Sequence, residues 1–455
     1  MRFTRSVVAV VVGVLASAAV VAVAQSPRPK ATDKRAPKAA RGAPAAKSGA
    51  KSGVPSTDWT RFRGSDGSGT SRESGLPTTW SPTENIAWKT PLPGAGTSSP
   101  IVIGDRIYLT CYRGFGVPGE SPGGMDDLVL SLVCLNRADG SVRWEKTIEP
   151  KLPEQETIRD EHGYSSSTPV ADNDRVYIFL GKTGVFAFTH AGDQVWRADV
   201  GSRLNGWGSA ASPVLFGDLL LVNASVESES VVPLDKATGK ERWRATGIKE
   251  AWNTPLVVTS DSGNSELVVP IFRQILGLDP ATGDKLWSCN TDINWYMVPS
   301  PVTDGTGTVY CIGGRSGGAV AVRTGGRGDV TSSHRVWLGG KGSNVSSPIF
   351  KDGHLYWIHD QLGIAFCANA ATGELIYQER LQGADQVYAS ALLADGKLYY
   401  VSRRGRTFVV AAKPQFELLA TNDLEERGRF DASPAVADGR LLIRSNRFLY
   451  SIGTP

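Results

Sequence analysis

The stretch "ILGLDPATGDKLWSC", Ile275 to Cys289, decides the fold. An apolar run of strand character meets Asp-Pro-Ala-Thr-Gly, and a second strand follows that carries Trp287. The turn has its own chemistry: an Asp side chain can accept hydrogen bonds from the backbone two residues on, and Gly takes the positive φ that closes the turn. A single hairpin of this kind cannot bury its faces alone. The same phrase returns as "VVPLDKATGKERWRA" (231 to 245) with Trp243. Looser versions are "VCLNRADGSVRWEK", "FAFTHAGDQVWRAD" and "FCANAATGELIYQER", which put Trp144, Trp196 and Tyr377 at the equivalent place. The version in blade five reaches Trp337 only after a Gly-rich insertion, and a further one shrinks to "FELLAT".

Upstream of each hairpin stands a second recurring phrase: "SSPIVIGDRIYL" at Ser98, "STPVADNDRVYIF" at Ser167, "ASPVLFGDLLLV" at Ala211 and "NTPLVV" at Asn253. It continues as "PSPVTDGTGTVYCI" at Pro299, "SSPIFKDGHLYWI" at Ser346, "ASALLADGKLYYV" at Ala389 and "ASPAVADGRLLIR" at Ala432. Most intervals are 42 to 47 residues and the first is 69. A period in the forties built from strands predicts an all-β propeller with eight blades, each an antiparallel A-B-C-D meander. The aromatics recur with the repeat, so Trp144, Trp196, Trp243, Trp287, Trp337 and Tyr377 are read as packing between blades. The last copy ends after three strands. "NIAWKT", Asn85 to Thr90, supplies its missing D strand, Trp88 takes the outer tryptophan position, and the ring closes without an open edge.

Residues 1–24 carry Arg2 and Arg5, an apolar run and Ala22-Val23-Ala24, the layout of a secretory signal peptide. The run also has the length of a membrane span, so an uncleaved anchor is the alternative. Residues 25–58, rich in Ala, Pro and Lys with no aromatic, are expected to be a disordered tether, and 59–455 the propeller. The chain's net charge of +4 comes from residues 1–58; beyond them stand 39 basic and 43 acidic residues, so no nucleic-acid-binding fold is indicated. The expectation is an exported monomer of the periplasm or cell envelope, touching membrane only through the leader or the basic tether. Five cysteines, none in C-x-x-C spacing, exclude a zinc ribbon and haem attachment. Cys111 and Cys134 fall on neighbouring strands and either pair or stay free as buried thiols. His162, His190, His334, His354 and His359 lack metal-ligand spacing, and no metal or catalytic residue is assigned.

"LDPATGDKLW" and its siblings resemble the repeat of the pyrroloquinoline quinone (PQQ) propeller superfamily, the quinoprotein alcohol dehydrogenase-like proteins. The opening "DWTRFRGSDGSGTS" is similar to the start of exported bacterial PQQ-like repeat proteins. The resemblance spans 59–455 and implies the eight-bladed fold. It implies function less sharply, since the superfamily includes dehydrogenases and the propeller lipoprotein of the outer-membrane β-barrel assembly machinery. The dehydrogenases hold PQQ against a disulfide between adjacent cysteines, with a calcium-bound carboxylate. This chain has no Cys-Cys pair and no match to the calcium ligands, so neither PQQ nor calcium is predicted. A non-catalytic binding or scaffold protein is therefore expected, with a degenerate PQQ-dependent dehydrogenase and an outer-membrane assembly component as the alternatives.

Topology nominates the site. D-to-A and B-to-C connections share one end of every blade, and there His162, Tyr164, Trp207, Trp252, Trp295, Tyr296 and Tyr388 are expected to ring the axial opening, with Arg315, Arg403 and Arg406 among them. Aromatic surfaces interleaved with guanidinium groups suit a small anionic or carbohydrate-like ligand, or an envelope protein or peptide. The insertion 112–130 lies on the same face as a candidate lid or docking loop.

Overall fold

The computed structural model describes residues 58–315 and 317–454. The expected leader, and the tether up to Asp58, lie outside the described residues. Eight sheets form, seven of four strands and one of five. In blade one the strands are Ile101–Ile103, Arg106–Arg113, Val129–Asn136 and Val142–Ile148, paired antiparallel in sequence order, and blades two to seven repeat that order. Their inner strands are buried on both faces, and the hydrophobic clusters run from blade to blade. No helix among the described residues is long and apolar enough to cross a membrane.

The repeating turn and the repeating tryptophan are two halves of one contact. Asp235 Oδ1 accepts the amides of Ala237 and Thr238 at 3.1 and 2.9 Å, which folds the "DKATG" turn. Gly239 closes it at φ +74°, and a Cβ there would stand 2.7 Å from Trp196 of the preceding blade. Gly192, Gly283 and Gly373 meet Trp144, Trp243 and Trp337 in the same way. The indole N–H of Trp144, Trp196 and Trp337 donates to the carbonyl of His190, Lys236 and Ala370 in the following blade. The glycine therefore serves its neighbour's tryptophan as well as its own turn.

Where the next blade lacks that glycine, the aromatic finds another partner. Trp287 is fully buried in the cluster that joins blades four and five, as expected, but its Nε1 donates within its own blade, to Glu266 Oε2 at 2.7 Å. The Gly-rich insertion of blade five explains this, because its Gly328–Asp329 pairs in parallel with Trp287 and Ser288 as a fifth strand. Tyr377 meets Phe416 edge-on at 5.6 Å in place of a glycine.

Ring closure follows the sequence. Ile86–Pro91 pairs antiparallel with Phe448–Ile452 and completes blade eight. Trp88 packs over Gly140 of blade one, where a Cβ would lie 2.4 Å from its ring. The seam between blades eight and one carries further links. Buried Arg444 donates to Ser98 O at 2.7 Å and Thr110 O at 2.9 Å, and Arg137 holds Asp438 through two bonds of 2.7 and 2.8 Å.

The segment before the closing strand lies across the turn face. Trp59 exchanges backbone hydrogen bonds with Val102, and Thr60 O accepts from Ala171. Further along, Gly69 and Ser71 pair with Leu393, so the segment spans from blades one and two to blade seven. Cys111 and Cys134 do not form a disulfide: the register sets Cys111 opposite Ser131 and Cys134 opposite Tyr108, and both thiols are free and buried.

Replacing Trp88 by Ala removes a docked indole and should cost about 3 kcal/mol, by analogy with other buried aromatic truncations. Removing Ile86–Pro91 should lower the cooperative melting temperature more sharply; an unchanged melt in calorimetry refutes closure by this strand.

Candidate binding site at the axial mouth

The axis of the ring opens into a cavity of about 450 Å³. Its floor is built from the residue before the proline of each repeat, or before Ala391 in the seventh. Ser99 N donates to Thr168 Oγ1 at 2.9 Å, Thr168 N to Ser212 Oγ at 2.9 Å and Ser212 N to Thr254 Oγ1 at 3.1 Å. The chain of bonds continues through Ser300, Ser347 and Ser390 to Ser433, whose N–H returns to Ser99 Oγ at 3.0 Å. All eight blades are thus joined in one closed circle of amide-to-hydroxyl bonds. Each hydroxyl is buried and lines the cavity. Because its oxygen receives the neighbour's amide, its own proton is left to face the axis. Phe62, from the segment across the turn face, lines the cavity, called the cup below.

The walls differ from side to side. On blades two to four, Trp252 and Trp207 meet Tyr296 with ring centroids 5.3 and 6.0 Å apart, and Trp207 is 48% exposed. On blades five to seven the lining is planar and polar: Asn344, Asp360, Gln361 and Gln386. Asp360 is fully buried and accepts from Asn344 N at 2.8 Å and Gln361 Nε2 at 2.9 Å. Asn344 Oδ1 is buried without a hydrogen-bond partner. Arg315 stands exposed over the Trp295 ring at 5.8 Å.

A loop from blade one reaches over the opposite rim. The carbonyl of Glu161 receives Arg403 at 2.9 Å and Arg429 at 3.2 Å, so guanidinium groups from the far side of the ring latch this loop. Arg403 is fully engaged there. It also pairs with buried Asp431 at 2.8 and 3.2 Å, bonds Gln386 Oε1 at 3.0 Å and stacks over Tyr388 at 4.0 Å. His162, two loops in contact, accepts from Ser166 at Nδ1 (2.5 Å) and donates from Nε2 to Trp207 O at 2.7 Å. Burial pushes its pKa below the ordinary value, which keeps it neutral.

A family model described as outer membrane protein assembly factor BamB matches residues 78–192 and 181–415. The chain belongs to this family. Among solved structures, BamB from Moraxella catarrhalis is similar at 15% identity and a TM-score of 0.55, covering 80% of this chain and 98% of that one. Quinohemoprotein alcohol dehydrogenase from Comamonas testosteroni is similar at 12% identity and a TM-score of 0.63, over 88% of this chain and 81% of that one. The quinohemoprotein alcohol dehydrogenase ADHIIG of Pseudomonas putida HK5 aligns at 11% identity with a TM-score of 0.61 and the same two coverages. At these identities the likeness is one of fold. No curated protein matches the sequence.

Within this BamB-family propeller, the nominated residues divide into three groups. His162, Trp207, Trp252, Tyr296, Arg315 and Tyr388 line the cup. Trp295 and Arg403 stand behind that lining, the first against Tyr296 at 5.0 Å and the second holding the latch. Tyr164 and Arg406 lie elsewhere. Tyr164 is buried against Tyr112 and Phe115, with its hydroxyl on Gln155 O, so it props the blade-one loop. Arg406 turns outward to Gly383 O and Asp423. The insertion 112–130 supplies Phe115 and Met125 to the same prop and sits beneath the loop as a buttress. The hydroxyl ring was missed by sequence reasoning, yet its signal stands in every repeat. In the seventh copy Ala391 replaces the proline while Ser390 remains, so the hydroxyl, and not the proline, is the constant.

Beside the cup, Glu227 is 2% exposed and its Oε2 has no partner. Burial raises its pKa to about 7, with nearby Glu154 adding to the rise. A carboxyl whose folded pKa exceeds its unfolded value leaves the protein most stable when it is protonated, and stability then falls between pH 4.5 and 7. Glu227→Gln should flatten that part of the pH dependence and stabilise the protein at pH 8 by up to about 3 kcal/mol in urea titrations.

Proposed function

We propose that the protein is a non-catalytic binding or scaffold propeller of the bacterial cell envelope, which receives a ligand or partner at the axial mouth. One observation carries this reading: the ionisable groups of the cup are committed to one another. Asp431 is paired with Arg403, Asp360 is capped by amide donors, and His162 is held neutral between two loops. A general acid or base needs a free group within reach of the reacting atom, whereas Trp207, Tyr296 and Arg315 offer recognition surface. Export is part of this proposal, and the family's description as an outer membrane protein assembly factor supports it.

PQQ, which the resemblance to the quinoprotein dehydrogenases implies, does not suit these residues. It is a quinone with three carboxyl groups, and with Arg403 spent on Asp431 and Glu161 the lining offers it one free guanidinium, Arg315, beside the carboxylate of Asp360. The five cysteines are buried, and none of them lines the cup. Membership of the assembly-factor family favours a second reading, in which the mouth docks a protein of the outer-membrane assembly machinery.

Two measurements test the proposal. Purified protein given PQQ and calcium should show no dye-linked oxidation of methanol, ethanol or glucose; turnover overturns the non-catalytic reading. Cross-linking in cells should capture an envelope component, and Trp207→Ala with Tyr296→Ala should abolish that capture. Capture that is indifferent to both substitutions moves the site away from the mouth, and a β-barrel assembly protein in the captured fraction selects the second reading.

A further inference from the structure

The chemistry of the cup narrows what can fill it, given the reading above that the mouth is a binding site. Every hydroxyl on the floor accepts one amide and has a proton to give. An apolar ligand would strip water from this ring and leave it unpaired, at a cost for each buried polar group. A polyanion would find one free guanidinium in the lining, Arg315, since Arg403 is already spent on Asp431 and Glu161. What remains is a small, uncharged, polyhydroxylated body, or the end of a chain of such units.

The walls agree with that selection. A sugar ring presents a face of C–H groups that stacks on indole and phenol rings, and an edge of hydroxyls that each donate and accept. Trp207, Trp252 and Tyr296 supply the aromatic side. Asn344 supplies a planar group able to meet a sugar hydroxyl, and its unpartnered Oδ1 is an acceptor waiting for a donor. Arg315 at the rim adds a fork of N–H groups. The volume of about 450 Å³ falls in the range of ligand pockets and suits one or two pyranose rings.

We propose that the axial cup binds the neutral end of a saccharide, stacked on Trp207 and Tyr296 with its inner hydroxyls on the serine and threonine ring. The ligand is either a free disaccharide or the terminus of an envelope glycan, and the two share this chemistry. The test uses the full chain in calorimetric titration and saturation-transfer NMR. Maltose, cellobiose and N,N′-diacetylchitobiose serve as free probes, with soluble cell-wall glycan strands as the polymer. Saturable binding of at least one probe, weakened tenfold or more by Trp207→Ala and by Arg315→Gln but not by the outward-facing Arg406→Gln, supports the proposal. Both mouth positions are exposed, so the variants should keep the wild-type melt. Binding of the strands alone assigns the source to a glycan end, and binding of a disaccharide assigns it to a free sugar. Failure of every saccharide to bind, or stronger binding of benzenehexacarboxylate than of any sugar, overturns it. If saccharides fail while envelope capture still depends on Trp207 and Tyr296, the binding site stands and only its ligand class falls.

Discussion

The circle of eight amide-to-hydroxyl bonds at the axis is the constraint on which the rest of the molecule depends. Every blade gives one N–H to the next and receives one, and the last bond, from Ser433 to Ser99, joins residues at opposite ends of the propeller. At about 1 kcal/mol each such bonds are a small share of the stability, but they fix geometry. They set the radius at which eight sheets meet and the height of each blade along the axis. The residue before a proline is held in extended backbone, so in seven of the eight repeats the local sequence places the hydroxyl residue before any partner arrives. A missing bond would leave a buried amide without an acceptor, and the ring therefore favours all members together.

Outward from the axis, each blade is held by what its neighbour's turn permits. A tryptophan on strand D needs a glycine in the following C-to-D turn, since a side chain there would occupy the space of the ring. This explains why the aromatic period was legible in the sequence while the partner of Trp287 was not. Its orientation depends on the Gly-rich insertion of the next blade, and no pattern within "LDPATGDKLWSC" reports it. The same logic made the closing strand readable: Trp88 is followed around the ring by "RADG", whose Gly140 accepts it. What periodicity could not show was the extra seam of Arg444 and Arg137, since a buried arginine bonded to carbonyls has no sequence signature.

The site was legible in proportion to how far it follows topology. The ends of the strands decide which loops share a face, so Trp207, Trp252, Tyr296 and Tyr388 could be placed at the mouth from the blade order alone. Whether a residue there is free or spent depends on neighbours from distant blades. Arg403 looked like a ligand-binding arginine and is instead the centre of a cross-ring latch, because Asp431 and the Glu161 carbonyl come within its reach only after closure. Tyr164 looked like a rim aromatic and is a prop, because the long blade-one insertion brings Phe115 over it. The floor was written in every repeat and still passed unnoticed, since a serine before a proline reads as a strand start until eight of them face one axis.

Ring closure and the axial cavity are coupled through the N-terminal segment. Its strand Ile86–Pro91 completes the ring, and the residues before it bring Phe62 to the cavity lining, so floor and walls come into being together. A ligand that touches the floor contacts several blades at once and binds only the closed form. By mass action it must then raise the stability of the closed ring by RT ln(1 + [L]/Kd), and the gain appears at the seam, which is the one place where the circle can open without breaking a continuous chain. The opposite face, with its short turns, carries the repeat, while the mouth, with its longer and varied loops, is free to diverge.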